Sequence, residues 1–140
     1  MTERTLAIVK PDGVAAGKVG KVIARIEGEG LRVVGLRLVR LSRAEAEGFY
    51  AVHRERPFFA ALTAFMSSGA AVAMVLEGEG AIARWREIMG ATDPAKAAAG
   101  TLRRELAENI ERNVVHGSDG PDTAGQEIAF FFDAAQILSR

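Results

Sequence analysis

The residues best suited to chemistry sit at Asn113-Val114-Val115-His116-Gly117-Ser118-Asp119. His116 is one of two histidines in the chain. Val114 and Val115 are β-branched and predict an extended strand leading to it. Gly117-Ser118-Asp119-Gly120-Pro121 is a cluster that turns the chain after it. A histidine at the end of a strand, just before a turn, is held firmly and still reaches a cleft. An ordinary imidazole is largely neutral near pH 7, so it attacks without a base to deprotonate it. On this stretch alone two readings stand open: a surface turn residue, or a nucleophile. Glu127 is equally open. It is either a solvated helix glutamate or the group that orients the imidazole.

The elements that must position these residues follow from hydrophobic periodicity. Thr5 to Val9 predicts a first strand, ended by the turn signal Lys10-Pro11-Asp12-Gly13. Val19, Val22, Ile23 and Ile26 recur at helical spacing, and Gly28 and Gly30 stop that helix. Leu31 to Leu41 predicts a long strand. Ser42-Arg43-Ala44-Glu45 is a capping box opening a second helix, which carries Phe49 and Tyr50. Phe58, Phe59, Leu62, Phe65 and Met66 predict a helix, Ser67-Ser68-Gly69 a turn, and Ala70 to Leu76 a buried strand. Pro57 to Leu76 has no charge and bilayer-spanning length, but the internal turn and the alanine content argue against a membrane span. Ile82, Trp85, Ile88 and Met89 share one face of a helix ending at Gly90. Ala91 to Asn109 has little apolar periodicity and reads as an irregular insertion of the kind that often carries function. Thr123-Ala124-Gly125-Gln126 caps a helix with Ala124, Ile128, Phe131 and Phe132 on one face, and Asp133 to Gln136 caps a short last one. This order predicts an α+β fold, a ferredoxin-like βαββαβ sandwich. It has a four-stranded antiparallel sheet with helices on one face, an irregular loop insertion and C-terminal helices. The 140 residues are expected to form a single domain, 1–140.

Composition narrows the function. With 49% hydrophobic and 26% charged residues the chain reads as soluble and globular. Net charge is +0, so no long-range field draws it to nucleic acid or anionic membrane, and any anion site must be local. No cysteine is present, which removes disulfides, thiolate metal sites and thiol nucleophiles. Glu3 and Arg4 precede only a short apolar run, so no signal peptide is expected and a cytoplasmic location is. Gly78-Glu79-Gly80-Ala81-Ile82-Ala83 fits a dinucleotide-binding pattern, but no apolar strand follows Gly90 at the required distance. Gly13 to Lys18 is spaced wrongly for a phosphate loop, and Val19 stands where Ser or Thr is needed. Structural zinc spacing is absent. A binding module for RNA or a small regulatory ligand is the rival class, and it would need a basic, aromatic sheet face that the sequence does not supply.

Moving a phosphoryl group needs a nucleophile, cations around the transferred oxygens and a grip on the nucleotide. Lys10, Arg86 and Arg103 are cations, each of which reads singly as a surface charge. Five blocks join them: Val9-Lys10-Pro11-Asp12-Gly13, Arg56-Pro57-Phe58-Phe59, Thr92-Asp93-Pro94, Gly100-Thr101-Leu102-Arg103, and Asn113 to Asp119. In this order they resemble the nucleoside diphosphate kinases, of the short bacterial-like type. The resemblance implies transfer of the terminal phosphate of a nucleoside triphosphate, mainly ATP, to a nucleoside diphosphate. The route it implies is ping-pong through a phosphohistidine, maintaining NTP and dNTP pools. It implies that His116 is phosphorylated, supported by Glu127 and Ser118, with Lys10 and Tyr50 beside the transferred phosphate. Arg86, Thr92 and Arg103 would bind the remaining phosphates, and Asn113 and Lys10 the ribose. Phe58 would stack on the base with Ile110 on its other face. No protein metal site is implied; Mg2+ would arrive on the nucleotide phosphates. A homo-oligomer, tetramer or hexamer, is implied, with Pro94 in a loop at subunit contacts, and no membrane or specific nucleic-acid partner. The chain departs from the family pattern at Arg104-Glu105-Leu106 and at Gly120-Pro121, which puts loop geometry in question more than chemistry. Arg104 is expected to face solvent. His53 matches no family role and is expected at a surface helix end.

Overall fold

A computed structural model describes residues 2–139. In chain order the elements are β1 (Thr2–Val9), α1 (Pro11–Ala15), α2 (Val19–Gly28), β2 (Arg32–Val39), α3 (Arg43–Phe49), α4 (Phe59–Met66), β3 (Ala71–Glu79), α5 (Ala81–Met89), α6 (Leu102–Leu106), β4 (Val115–Gly117) and α7 (Pro121–Phe131). Short 3-10 turns cover Ala51–His53, Pro94–Lys96 and Ala134–Gln136. The strands form one sheet in the order β2-β3-β1-β4, every neighbouring pair antiparallel. This is the ferredoxin-like arrangement. None of the described helices is long and apolar enough to cross a membrane.

Helices cover both faces of the sheet, not the single face expected. The reason lies in the two central strands, β1 and β3, which are apolar at successive positions and must be buried on both sides. Ala7, Val9, Val72, Met74 and Leu76 pack against α2, α5 and α6, around the fully buried Trp85. Leu6, Ile8, Ala71, Ala73 and Val75 point the other way, against Phe65 and Met66 of α4, Phe131 of α7 and Tyr50. The period-2 alternation of a strand separates the two sets.

Several boundaries differ from expectation. β1 begins at Thr2, and β3 runs on to Glu79, because polar residues join a ladder as readily as apolar ones. Buried Glu77 is tolerated in β3 because Arg4 at 2.9 Å, Arg32 at 3.3 Å and the Ser139 hydroxyl at 2.7 Å surround its carboxylate. Pro11-Asp12-Gly13 opens α1 instead of a turn, with Pro11 at the first helical position, where its missing N–H costs nothing. The capping box at Ser42 and Glu45 forms as expected. Tyr50 lies just past the end of α3. The segment Ala91 to Asn109 is not wholly irregular: it holds a 3-10 turn and α6, whose N-cap Thr101 accepts from the Arg104 N–H. α7 starts at Pro121, earlier than expected, with the Thr123 hydroxyl accepting from Gly120 N–H at 3.0 Å. Gly120-Pro121 is thus a helix start. Arg104 is exposed, donating to the Ala95 carbonyl; Glu105 pairs with Arg25, and Leu106 packs against the core.

Candidate active site

β4 is an edge strand that pairs with the inner strand β1 so that His116 lies opposite Ile8. His116 therefore points to the α7 face, while Val115 and Gly117 point to α5. Gly117 must be glycine: a Cβ there would lie 2.6 Å from both Met89 and Trp85. That close approach lets the Trp85 indole N–H donate to the His116 carbonyl at 3.1 Å. His116 sits in the middle of a three-residue strand, not at its end. Val114 is not extended at all; its φ is 71°. The Val115 N–H donates to the Asn113 carbonyl at 2.8 Å across it, closing a γ-turn. Such a conformation at a β-branched residue costs on the order of 1–3 kcal/mol and persists only where the surroundings hold it.

The imidazole is oriented from beneath. Its Nε2 lies 3.0 Å from Glu127 Oε1, which also accepts from the Ser118 hydroxyl at 2.8 Å. Ser118 is fully buried, and its own oxygen accepts from Leu6 N–H at 3.3 Å. Burial pushes the Glu127 carboxyl up, but the hydrogen bonds from His116 and Ser118 outweigh it and hold the group below the ordinary carboxylate range. An ionised Glu127 accepts a hydrogen from Nε2, which leaves the Nδ1 lone pair free.

Around the ring lie the cations. The Lys10 ammonium donates to Asn113 Oδ1 at 2.8 Å, and Asn113 Nδ2 donates to the Thr92 carbonyl at 3.2 Å. Burial first, and then the charge of Arg103, lower the Lys10 pKa to about 8. Arg103 donates to the carbonyls of Gly90 at 3.0 Å, Val115 at 2.8 Å and Asn113 at 3.4 Å. Burial, and then Arg86, press its pKa down to about 10, which leaves it charged. Arg86 pairs with Asp119 at 2.9 Å, both side chains at least half exposed. The Tyr50 hydroxyl is buried without a partner among the described residues. Burial, and then Glu127, push the phenol up, so it is a neutral donor.

A cleft of about 740 Å3 gathers these groups. It is lined by Lys10, Tyr50, Phe58, Arg86, Thr92, Arg103, Ile110, Asn113 and His116, which the sequence had left far apart. Ser118 and Glu127 lie behind His116 and not on the cleft wall. Phe58 and Ile110 stand at the open end, 48% and 58% exposed. His53 does end a short 3-10 helix, as expected, but it has a further place. It lines the cleft, its ring stacked on Tyr50 with centroids 6.5 Å apart and tilted against Phe58 at 5.5 Å. Its spacing three residues after Tyr50, about one helical turn, was the available signal. Asp119 and Glu111 also line the cleft, carboxylates to which the sequence assigns no role of their own. Among the described residues no group of three or more His, Cys, Asp or Glu could hold a metal ion. A partly buried, oriented imidazole ringed by cations and open to a cleft can accept a phosphoryl group and release it again.

The chain and its fold are similar to those of known proteins. A family model described as nucleoside diphosphate kinase matches residues 3–137. The chain is 61% identical over 138 residues to a nucleoside diphosphate kinase of Desulfosudis oleivorans, covering 99% of each chain. It is also 61% identical over 138 residues to one of Halorhodospira halophila, covering 99% of this chain and 98% of that one. The structure is similar to a crystal structure of the Aquifex aeolicus nucleoside diphosphate kinase, with TM-score 0.96 and 45% identity over 99% of this chain and 100% of that one. It is similar as well to the Halobacterium salinarum enzyme in complex with CDP, with TM-score 0.96 and 41% identity over 100% and 93% of the two chains.

Proposed function

We propose, for a chain that belongs to the nucleoside diphosphate kinase family, that His116 is the residue through which phosphate passes. The enzyme is a phosphotransferase that moves the terminal phosphate of a nucleoside triphosphate, mainly ATP, to a nucleoside diphosphate. In the first half-reaction His116 Nδ1 attacks the γ-phosphorus, the bond to the β-phosphate oxygen breaks, and the diphosphate leaves. In the second, an oxygen of an incoming diphosphate attacks the same phosphorus and the N–P bond breaks. Throughout, the Nε2 hydrogen stays shared with Glu127, so no proton must be found or lost. The single observation that carries this reading is the 3.0 Å contact between Nε2 and Glu127, which presents the other nitrogen to the cleft.

The remaining roles follow from place. Lys10 and Tyr50 donate to the transferred phosphate, and Arg86, Thr92 and Arg103 to the others. Asn113, held by Lys10, reaches the ribose. Phe58 and Ile110 enclose the base, and stacking is indifferent to base identity because every base has a π-face. Mg2+ enters as part of the nucleotide substrate, coordinated by phosphates and water; the carboxylates nearest the ring are already engaged by His116, Ser118 and Arg86. The enzyme works in the cytoplasm on the NTP and dNTP pools. It is a homo-oligomer, tetramer or hexamer; edge strand β2 supports this with Leu36 and Leu38, 56% and 71% exposed.

The test is to mix the protein with Mg-ATP labelled on the γ-phosphate, quench, and examine the label. The expected result is a label stable in base, lost in acid, chased onto GDP and absent from His116→Ala, which should lose essentially all turnover. Turnover that survives in His116→Ala would remove His116 from the reaction.

A further inference from the structure

Three residues of one short segment, Lys10, Asp12 and Gly13, converge on the strained Val114, and no role in the transfer accounts for that convergence. The Lys10 backbone N–H donates to the Val114 carbonyl at 2.7 Å. The Asp12 carboxylate accepts from the Val114 N–H at 3.1 Å through Oδ2. Gly13 presents a bare Cα to Val114: a Cβ there would lie 2.9 Å from the valine Cγ1. Asp12 Oδ1 is buried and finds no partner among the described residues. Keeping a carboxylate half-satisfied is costly, so the bond to Val114 is the contact that accounts for its position. We propose that Asp12 is a positioning residue for the phosphoryl transfer: its carboxylate clamps Val114 in the γ-turn that aims Asn113 at Lys10 and sets His116 in the cleft.

The reason is geometric. Val114 stands between the residue that orders Lys10 and the strand that carries the nucleophile. Its left-handed φ of 71° is one that a valine leaves when it can. An extended Val114 would rotate Asn113 away from Lys10 and shift His116 relative to Ile8. A misplacement of about 1 Å at a reacting atom lowers a rate by about 100-fold. Asp12 acts through the backbone and does not itself touch the substrate.

This rests on the reading of His116 as nucleophile. The experiment measures the single-turnover rate of His116 labelling at saturating Mg-ATP, with the nucleotide KM alongside. Asp12→Ala should slow labelling about 10- to 100-fold with a much smaller change in KM. Asp12→Asn, which keeps an acceptor of the same shape without the charge, should restore most of the rate. In a Val114→Gly background, where glycine holds the turn at no steric cost, removing Asp12 should cost at least about threefold less. An Asp12→Ala chain that unfolds alone but folds again with Val114→Gly carries the same meaning. One that stays unfolded in both backgrounds overturns the proposal. So does a wild-type labelling rate in Asp12→Ala. Asp12→Asn as slow as Asp12→Ala overturns it too, by assigning the effect to the charge beside Lys10. No label on the wild-type protein overturns both the nucleophile and its positioning.

Discussion

The two ends of the cleft are built differently. At the inner end Lys10, Asn113, Arg103, His116 and Glu127 are buried or nearly so, and each is already bonded to a neighbour. At the outer end Phe58 and Ile110 are about half exposed, and their side chains are apolar. The inner end is organised before a ligand arrives, so little reorganisation is needed as charge develops. The outer end offers mainly apolar surface, with His53 and Glu111 beside it. On the proposed reading the closed end fixes the chemistry, and the open end meets the base mainly with the apolar faces of Phe58 and Ile110. Arg86 is intermediate: charged, half exposed, and tied to Asp119 by a pair that a phosphate can replace.

The largest expected effect comes from breaking the inner end. Glu127→Ala frees the Nε2 side of the ring and should lower kcat about 100-fold while KM moves little. A loss in KM alone would mean that the inner end is no more organised than the outer. The next effect is on pH. Lys10 titrates near about 8 in the free protein, below its ordinary 10.5. Between those values the unfolded chain holds a proton that the folded chain has released, so the Lys10 contribution to stability rises with pH across that window. Nucleotide binding needs the ammonium and runs the opposite way. KM should rise by up to about tenfold per pH unit above 8, and Lys10→Gln should flatten that slope. The smallest effect belongs to the outer end. Phe58→Ala should raise KM about fivefold, the lower limit of what stacking contributes, by the same factor for ATP, GTP and CTP. A factor that differs strongly among bases would show that the outer end selects after all.

Much of this was legible in the sequence, for identifiable reasons. The amphipathic helices and the capping box at Ser42 are local patterns, and they form as read. The cleft residues were legible only as blocks in a familiar order; nothing local to Arg103 or Tyr50 says that they meet His116. The two-sided cover of the sheet was missed because a strand buried on both faces has the same apolar run as one read without its partners. Val114 was misread because β-branching predicts extension. The left-handed turn is imposed by Asp12 and by the Lys10 backbone, about a hundred residues away along the chain. Long-range hydrogen bonds overrode local preference where the active site needed an unusual backbone. His53 and Asp119 were missed because exposure, not residue type, decides whether a side chain faces a cleft.

The contact beneath Gly117 also has an optical consequence. Trp85 is the chain's one tryptophan, fully buried, and its indole N–H is bound to the carbonyl of His116 itself. Indole emission depends on the dipoles and hydrogen bonds at that nitrogen. The protein therefore carries a native fluorophore wired to the backbone of its proposed nucleophile, and its emission can follow that strand through turnover without any added label.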